Sequence, residues 1–161
     1  MIPRTLIAIV LTCLLASCAS VDYEGASSGP LSPGGGRVLL APFGNATSNS
    51  SAGVALTELM ASALSANNLS WGIIDEESID GPIMEIAQDR GFSYLITGSV
   101  HEYAYKTDLN GDPAVGASAT LWEVSTGRVV WQGSASATGA ILSSLSEAGQ
   151  KVAARLVGRM M

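Results

Sequence analysis

The sequence predicts an α/β domain: one mixed sheet in the order β-α-β-α-β-β-β-α, with a long antiparallel meander and helices covering one face. Three observations predict it. Strand-like and helix-like patterns alternate from Arg37 to Gly91, the pattern of parallel strands joined by crossover helices. Three strand-like runs then follow between Phe92 and Thr138, divided by the turn signals Asn110-Gly111 and Ser125-Thr126-Gly127-Arg128. An amphipathic run closes the chain.

Each element has its own signal. Val38-Leu39-Leu40-Ala41-Pro42-Phe43 is a short apolar run suited to a buried strand. Gly44-Asn45 breaks it, and Ser50 or Ser51 is placed to cap the next helix. That helix collects Val54, Leu56, Leu59, Met60, Ala63 and Leu64 on an apolar face, leaves Glu58 outside it, and ends at Asn67-Asn68. Leu69 to Asp75 reads as a second strand with Trp71, Ile73 and Ile74; Pro82 opens a short helix with Ile83, Ile86 and Ala87 on its apolar side, and Gly91 stops it. Phe92 to Tyr105 is a long β-branched and aromatic strand in which Gly98 permits a bend or bulge. A hairpin at Asn110-Gly111 leads to strands over Ala114–Ser125 and Val129–Thr138. The last helix is expected to begin after Gly139 and to present Leu142, Leu145, Val152, Ala153, Leu156 and Val157. Ser118, Thr120, Ser134 and Ser136 make the second face of the meander small and hydroxylated, either solvated or packed on a neighbouring copy.

The N-terminus is an address. Arg4, an apolar run from Leu6 to Leu15 and a small-residue exit describe an export signal, too short for a bilayer span of ~20 residues. Leu15-Ala16-Ser17-Cys18 resembles the lipobox of bacterial lipoproteins. That resemblance implies cleavage after residue 17, a diacylglycerol on the Cys18 sulfur and an acylated amine. Two or three acyl chains anchor stably where one would be reversible. Ala19, where inner-membrane lipoproteins carry Asp, implies the inner leaflet of the outer membrane, facing the periplasm. Residues 18–36 then read as the lipidated Cys and a Gly/Ser/Pro tether, and residues 37–161 as a single domain. With Cys13 removed and Cys18 acylated, no thiol remains for a disulfide or a metal site. Removing Arg4 leaves seven Lys and Arg against fourteen Asp and Glu, a net charge of −7. Such a surface repels nucleic acid and anionic headgroups and tolerates cationic partners.

Catalytic chemistry is absent from the pattern. No Gly-x-Ser-x-Gly elbow, phosphate loop, dinucleotide fingerprint or zinc-protease helix occurs. His101 lies in a strand with nothing nearby to orient it, and reads as a surface or packing residue. Asp108 to Asp112 imitates the start of a calcium loop, but Ala119 stands where the bidentate Glu should be. No enzyme, metal site or cofactor is expected beyond the covalent lipid. Trp122 and Trp131 read as packed within the sheet or at a subunit contact.

Tyr94-Leu95-Ile96-Thr97-Gly98-Ser99-Val100-His101-Glu102-Tyr103, the hairpin Gly111-Asp112-Pro113-Ala114-Val115-Gly116 and the turn Ser125-Thr126-Gly127-Arg128-Val129-Val130-Trp131 carry a family resemblance. Together they resemble the PelC family, outer-membrane lipoproteins of the Pel exopolysaccharide export apparatus. The resemblance implies a homo-oligomeric ring of twelve copies beneath the outer membrane, a PelB-like porin and scaffold as partner, and a cationic amino-sugar polymer as cargo. It also implies Glu102, Asp108 and Asp112 as acidic lining of the polymer path. The family favours a Trp near the start of the last helix as a membrane contact; here Ile141 and Leu142 take that region, so outer-membrane lipid would meet aliphatic side chains. The alternative is a regulatory lipoprotein that activates a periplasmic cell-wall (peptidoglycan) synthase, for which the 18-residue tether from Ala19 to Gly36 is short. A protein-secretion pore would need an additional barrel-forming hairpin, and no loop is long enough for one.

Overall fold

Val38, Leu39 and Leu40 are consecutive and all inaccessible to solvent in the computed structural model, which describes residues 23–25, 29–74, 81–107, 111–139 and 143–161. Alternate side chains of a strand point to opposite faces, so burial of all three requires cover on both. Their strand, β2 (Arg37–Leu40), follows a short β1 (Tyr23–Gly25) and precedes a two-residue β3 (Gly44–Asn45). Next come α1 (Ala52–Ala66), β4 (Ser70–Ile73), α2 (Ile83–Asp89), the meander β5 (Tyr94–Tyr105), β6 (Pro113–Glu123) and β7 (Arg128–Thr138), and finally α3 (Leu145–Met160). The sheet runs β1-β7-β6-β5-β2-β4, with β3 also paired to β5. β4, β2 and β5 are parallel, whereas β5, β6, β7 and β1 are antiparallel.

This is the expected mixed α/β sheet with its antiparallel meander. Helix placement follows from handedness. The β2-to-β4 crossover moves toward one edge and the β4-to-β5 crossover moves back past β2, so two right-handed connections must use opposite faces. α1 and α3 cover one face: Leu56, Met60, Val152 and Leu156 pack with Val38, Leu40, Ile96, Val115 and Leu121. The short α2 lies on the other face, where Ala87 joins Leu39, Leu95 and Phe92, so the helices cover both faces and not one as expected.

Several details differ from the sequence expectation. The buried stripe of α1 is Ala52, Gly53, Leu56, Thr57, Met60, Ala61 and Leu64, while Val54 is 65% exposed. Val54 stands four residues before the exposed Glu58 and therefore shares its solvent-facing row. Thr57 enters the apolar stripe because it is fully bonded: its Oγ1 accepts the Phe43 N–H at 2.9 Å and donates to the Gly53 carbonyl at 2.8 Å. Thr57→Val keeps the shape but strands the buried Phe43 N–H. A loss of about 1–3 kcal/mol is expected in denaturant unfolding; an unchanged midpoint would contradict the assignment.

The irregularity in β5 falls between Val100 and Glu102 rather than at Gly98, whose missing side chain instead makes room for the Phe43 ring. The last helix begins at Leu145, later than expected, where Ser144 Oγ accepts the Glu147 N–H at 3.1 Å. Asn68 (φ 55°) and Gly91 (φ 69°) adopt the left-handed conformation where α1 and α2 were expected to stop. The segment read as a tether already touches the domain: Gly29 N–H donates to the Arg159 carbonyl, Leu31 N–H to that of Met160, and Leu31 is buried. Cys18, Asp108, Ile141 and Leu142 lie outside the described residues.

Candidate functional site

Two neighbouring rows cross the meander on the face away from α1 and α3. Ser99, Ser118 and Ser134 form one, and Thr97, Thr120 and Gln132 the other. Their parity is opposite to that of Val100, Ala117 and Ala135, which point into the core. This is the hydroxylated face expected from the sequence. Trp122, half-buried beside it, donates its indole N–H to Thr97 Oγ1 at 3.0 Å.

At the far end of this face, β5 contains one extra residue between Val100 and Glu102. A bulge re-aims side chains, and here His101 and Glu102 are both exposed. His101 Nε2 lies 2.8 Å from Ser118 Oγ. A hydroxyl and an imidazole at that distance could make a nucleophile and base, but among the described residues nothing orients the second ring nitrogen. His101 is exposed, and its side-chain contact is with the Ser118 hydroxyl.

Glu102 stands opposite Gly116, and Asp112 lies four residues before Gly116. Strand rise separates these backbone positions by about 13 Å. Glu102, Ala104, Tyr105, Lys106 and Thr107 line an open groove of about 440 Å³. Tyr105 is 53% exposed there. Asp112 holds the base of the hairpin through its carbonyl, which accepts the Lys106 N–H at 2.8 Å, and its Oδ1 is buried without a hydrogen-bond partner among the described residues. The structure therefore sets Glu102 and Asp112 along one hairpin without making them adjacent. Tyr105 and Lys106 were not named as site residues from the sequence; their place just after Glu102 and before a turn was the available signal.

The Tyr103 phenol is raised above its ordinary value near 10, first by burial and then by the neighbouring Tyr105. A raised value means that folding favours the protonated phenol. Its contribution is complete below the unfolded pKa and is lost as pH rises through the folded one. No group of three or more acidic, His or Cys side chains among the described residues is arranged to hold a metal ion. No helix among them is long and apolar enough to cross a membrane.

No family model and no curated relative matches the chain in sequence. Solved structures do match. The PelC dodecamer from Paraburkholderia phytofirmans is 27% identical, covers 88% of this chain and 97% of its own, and superposes with a TM-score of 0.77. A point variant of that dodecamer in another crystal form gives the same identity and TM-score. The lipoprotein GNA1162 from Neisseria meningitidis, 18% identical, covers 75% of this chain and 94% of its own at a TM-score of 0.55, a likeness of fold alone. The chain therefore has a PelC-like fold.

Proposed function

We propose that this chain is a non-enzymatic, lipid-anchored subunit of a Pel-type polysaccharide export complex. Cys18 carries the acyl chains and holds the protein on the inner leaflet of the outer membrane, facing the periplasm. Copies assemble into a ring beneath a PelB-like porin. The β5–β6 hairpin, with Glu102, Asp108 and Asp112, presents carboxylates to a cationic amino-sugar polymer. The observation that carries this reading is the likeness to PelC dodecamers over nearly the full length of both chains. Three features support it: the lipobox, the net charge of −7 after signal removal, and a groove in which Glu102 sits beside an exposed Tyr105. Carboxylates repeated around a ring focus their field on the axis and raise the local concentration of a cationic chain.

The test is made in a polymer-producing cell whose own copy of the gene is deleted. Combined Glu102→Lys, Asp108→Lys and Asp112→Asn substitutions are expected to lower surface polymer at least ten-fold while the protein still accumulates. Export at the wild-type level would overturn the acidic-lining assignment. Replacing residues 1–18 with a signal that is cleaved without lipidation is expected to move the protein from the membrane fraction into the soluble periplasm; retention in the membrane would contradict the anchor.

A further inference from the structure

Five large apolar side chains are exposed among the described residues: Val54, Ile73, Tyr105, Val129 and Val130. Four of them fall on the two flanks of the sheet. Ile73 lies on β4, the strand at one edge. Val54 stands beside it on α1, and both line a cavity of about 260 Å³ with Pro42, Phe43 and Glu58, where the chain leaves β2 and β4. Val129 and Val130 lie on β7 near the opposite edge. β1 pairs only with Gly133 to Ala135, so the first half of β7 has no strand beyond it among the described residues.

The register places these flanks at one height. Ile73 pairs with Leu40, Leu40 with Ile96, Ile96 with Leu121, and Leu121 with Trp131. A single row therefore runs from Ile73 on one edge to the residue following Val130 near the other. The pairing of β6 with β7 shifts between Leu121 and Trp122, which leaves Val130 as an extra residue. A bulge discourages strand-to-strand pairing at an edge, so this flank is built to dock by its side chains. One flank is hollow and the other projects. They also differ in charge: Glu58 rims the cavity and Arg128 adjoins Val129, and neither side chain has a hydrogen-bond or ion-pair partner among the described residues.

From this geometry we infer that the two flanks are the two halves of one head-to-tail interface. Val129 and Val130 of one copy seat against Val54 and Ile73 of the next, with Arg128 facing Glu58 across the contact. A contact between unlike patches closes into a ring when the rotation per copy divides the circle and there is no rise along the axis. Patches at opposite ends of one row meet the second condition in a ring whose axis runs along the strands. The inference rests on the ring reading above and adds to it which surfaces close the ring.

The full chain, purified with its lipid in detergent, supplies the test by light scattering. Wild type is expected to run as a closed oligomer. Val54→Asp and Val129→Asp are each expected to run as monomers, with far-UV spectra unchanged because both side chains are exposed. Mixing the two variants is expected to give a one-to-one dimer, since each retains the flank the other lacks. Glu58→Arg is expected to weaken the oligomer, and adding Arg128→Glu to the same chain to restore it. A monomeric wild type would overturn the ring reading and this inference together. A wild-type oligomer unchanged by both aspartate variants would overturn the flank assignment alone, as would variants that fail to pair when mixed.

Discussion

Trp131→Ala is expected to destabilise the fold by about 3–5 kcal/mol. The indole is 2% exposed and belongs to the main core, opposite Leu121 on β6. Truncation would open a hole in the main core that close-packed neighbours only partly fill. One feature separates packing from polarity. Nε1 is buried with no hydrogen-bond partner among the described residues, which carries the penalty of an unmade bond. Trp131→Phe should therefore cost no more than the lost part of the ring, because no hydrogen bond goes with it, and much less than Trp131→Ala, which empties the site. A Trp131→Phe loss in urea unfolding larger than the lost ring area accounts for would mean that the N–H does have a partner.

Gly98→Ala is the second large effect, at about 1–3 kcal/mol or more. An added Cβ would fall on the Phe43 ring and lie 2.6 Å from the Ser118 carbonyl oxygen. The carbonyl is part of the β5–β6 ladder and cannot swing aside as a side-chain tip could. Relief must come from Phe43, which is 5% exposed and whose N–H is held by Thr57. Gly98→Ala combined with Phe43→Leu should consequently lose less than the sum of the two single changes, the coupling expected of residues in contact. Strict additivity would contradict the close approach.

These two residues also show where the sequence was readable and where it was not. Gly98 was visible as a special position, but a glycine in a strand permits either a bulge or a close neighbour. Only the fold brings Phe43, more than fifty residues earlier, against it. The bulges at Val100/Glu102 and Leu121/Trp122 lack any glycine and left no local mark. Other signals were present and outweighed. Ser144-Leu145-Ser146-Glu147 is a capping pattern that sets the start of α3, whereas Gly139 and Leu142 drew the expected start earlier. The i,i+4 relation of Val54 to Glu58 marked Val54 as solvent-facing, but its apolar character drew it into the buried stripe. The opposite faces of α1 and α2 follow from the crossover rule once the strand order is known, and strand order is what local pattern does not contain.

The candidate site divides in the same way. The hydroxylated face was legible because period-two alternation is local: Ser118 with Thr120 and Ser134 with Ser136 define it without reference to distant residues. The groove at Glu102 and Tyr105 depends on a bulge and on the mouth of a hairpin. The flanking valines acquire meaning only from their place at the end of a row that crosses five strands.

Assembly is the property on which the proposed role depends, because one copy supplies too few carboxylates to guide a polymer. The native mass of the full-length lipidated protein tests it most directly. A closed ring near twelve protomers, as in the PelC dodecamers that share its fold, is the expected result. A strict monomer, in detergent and in lipid alike, would contradict it.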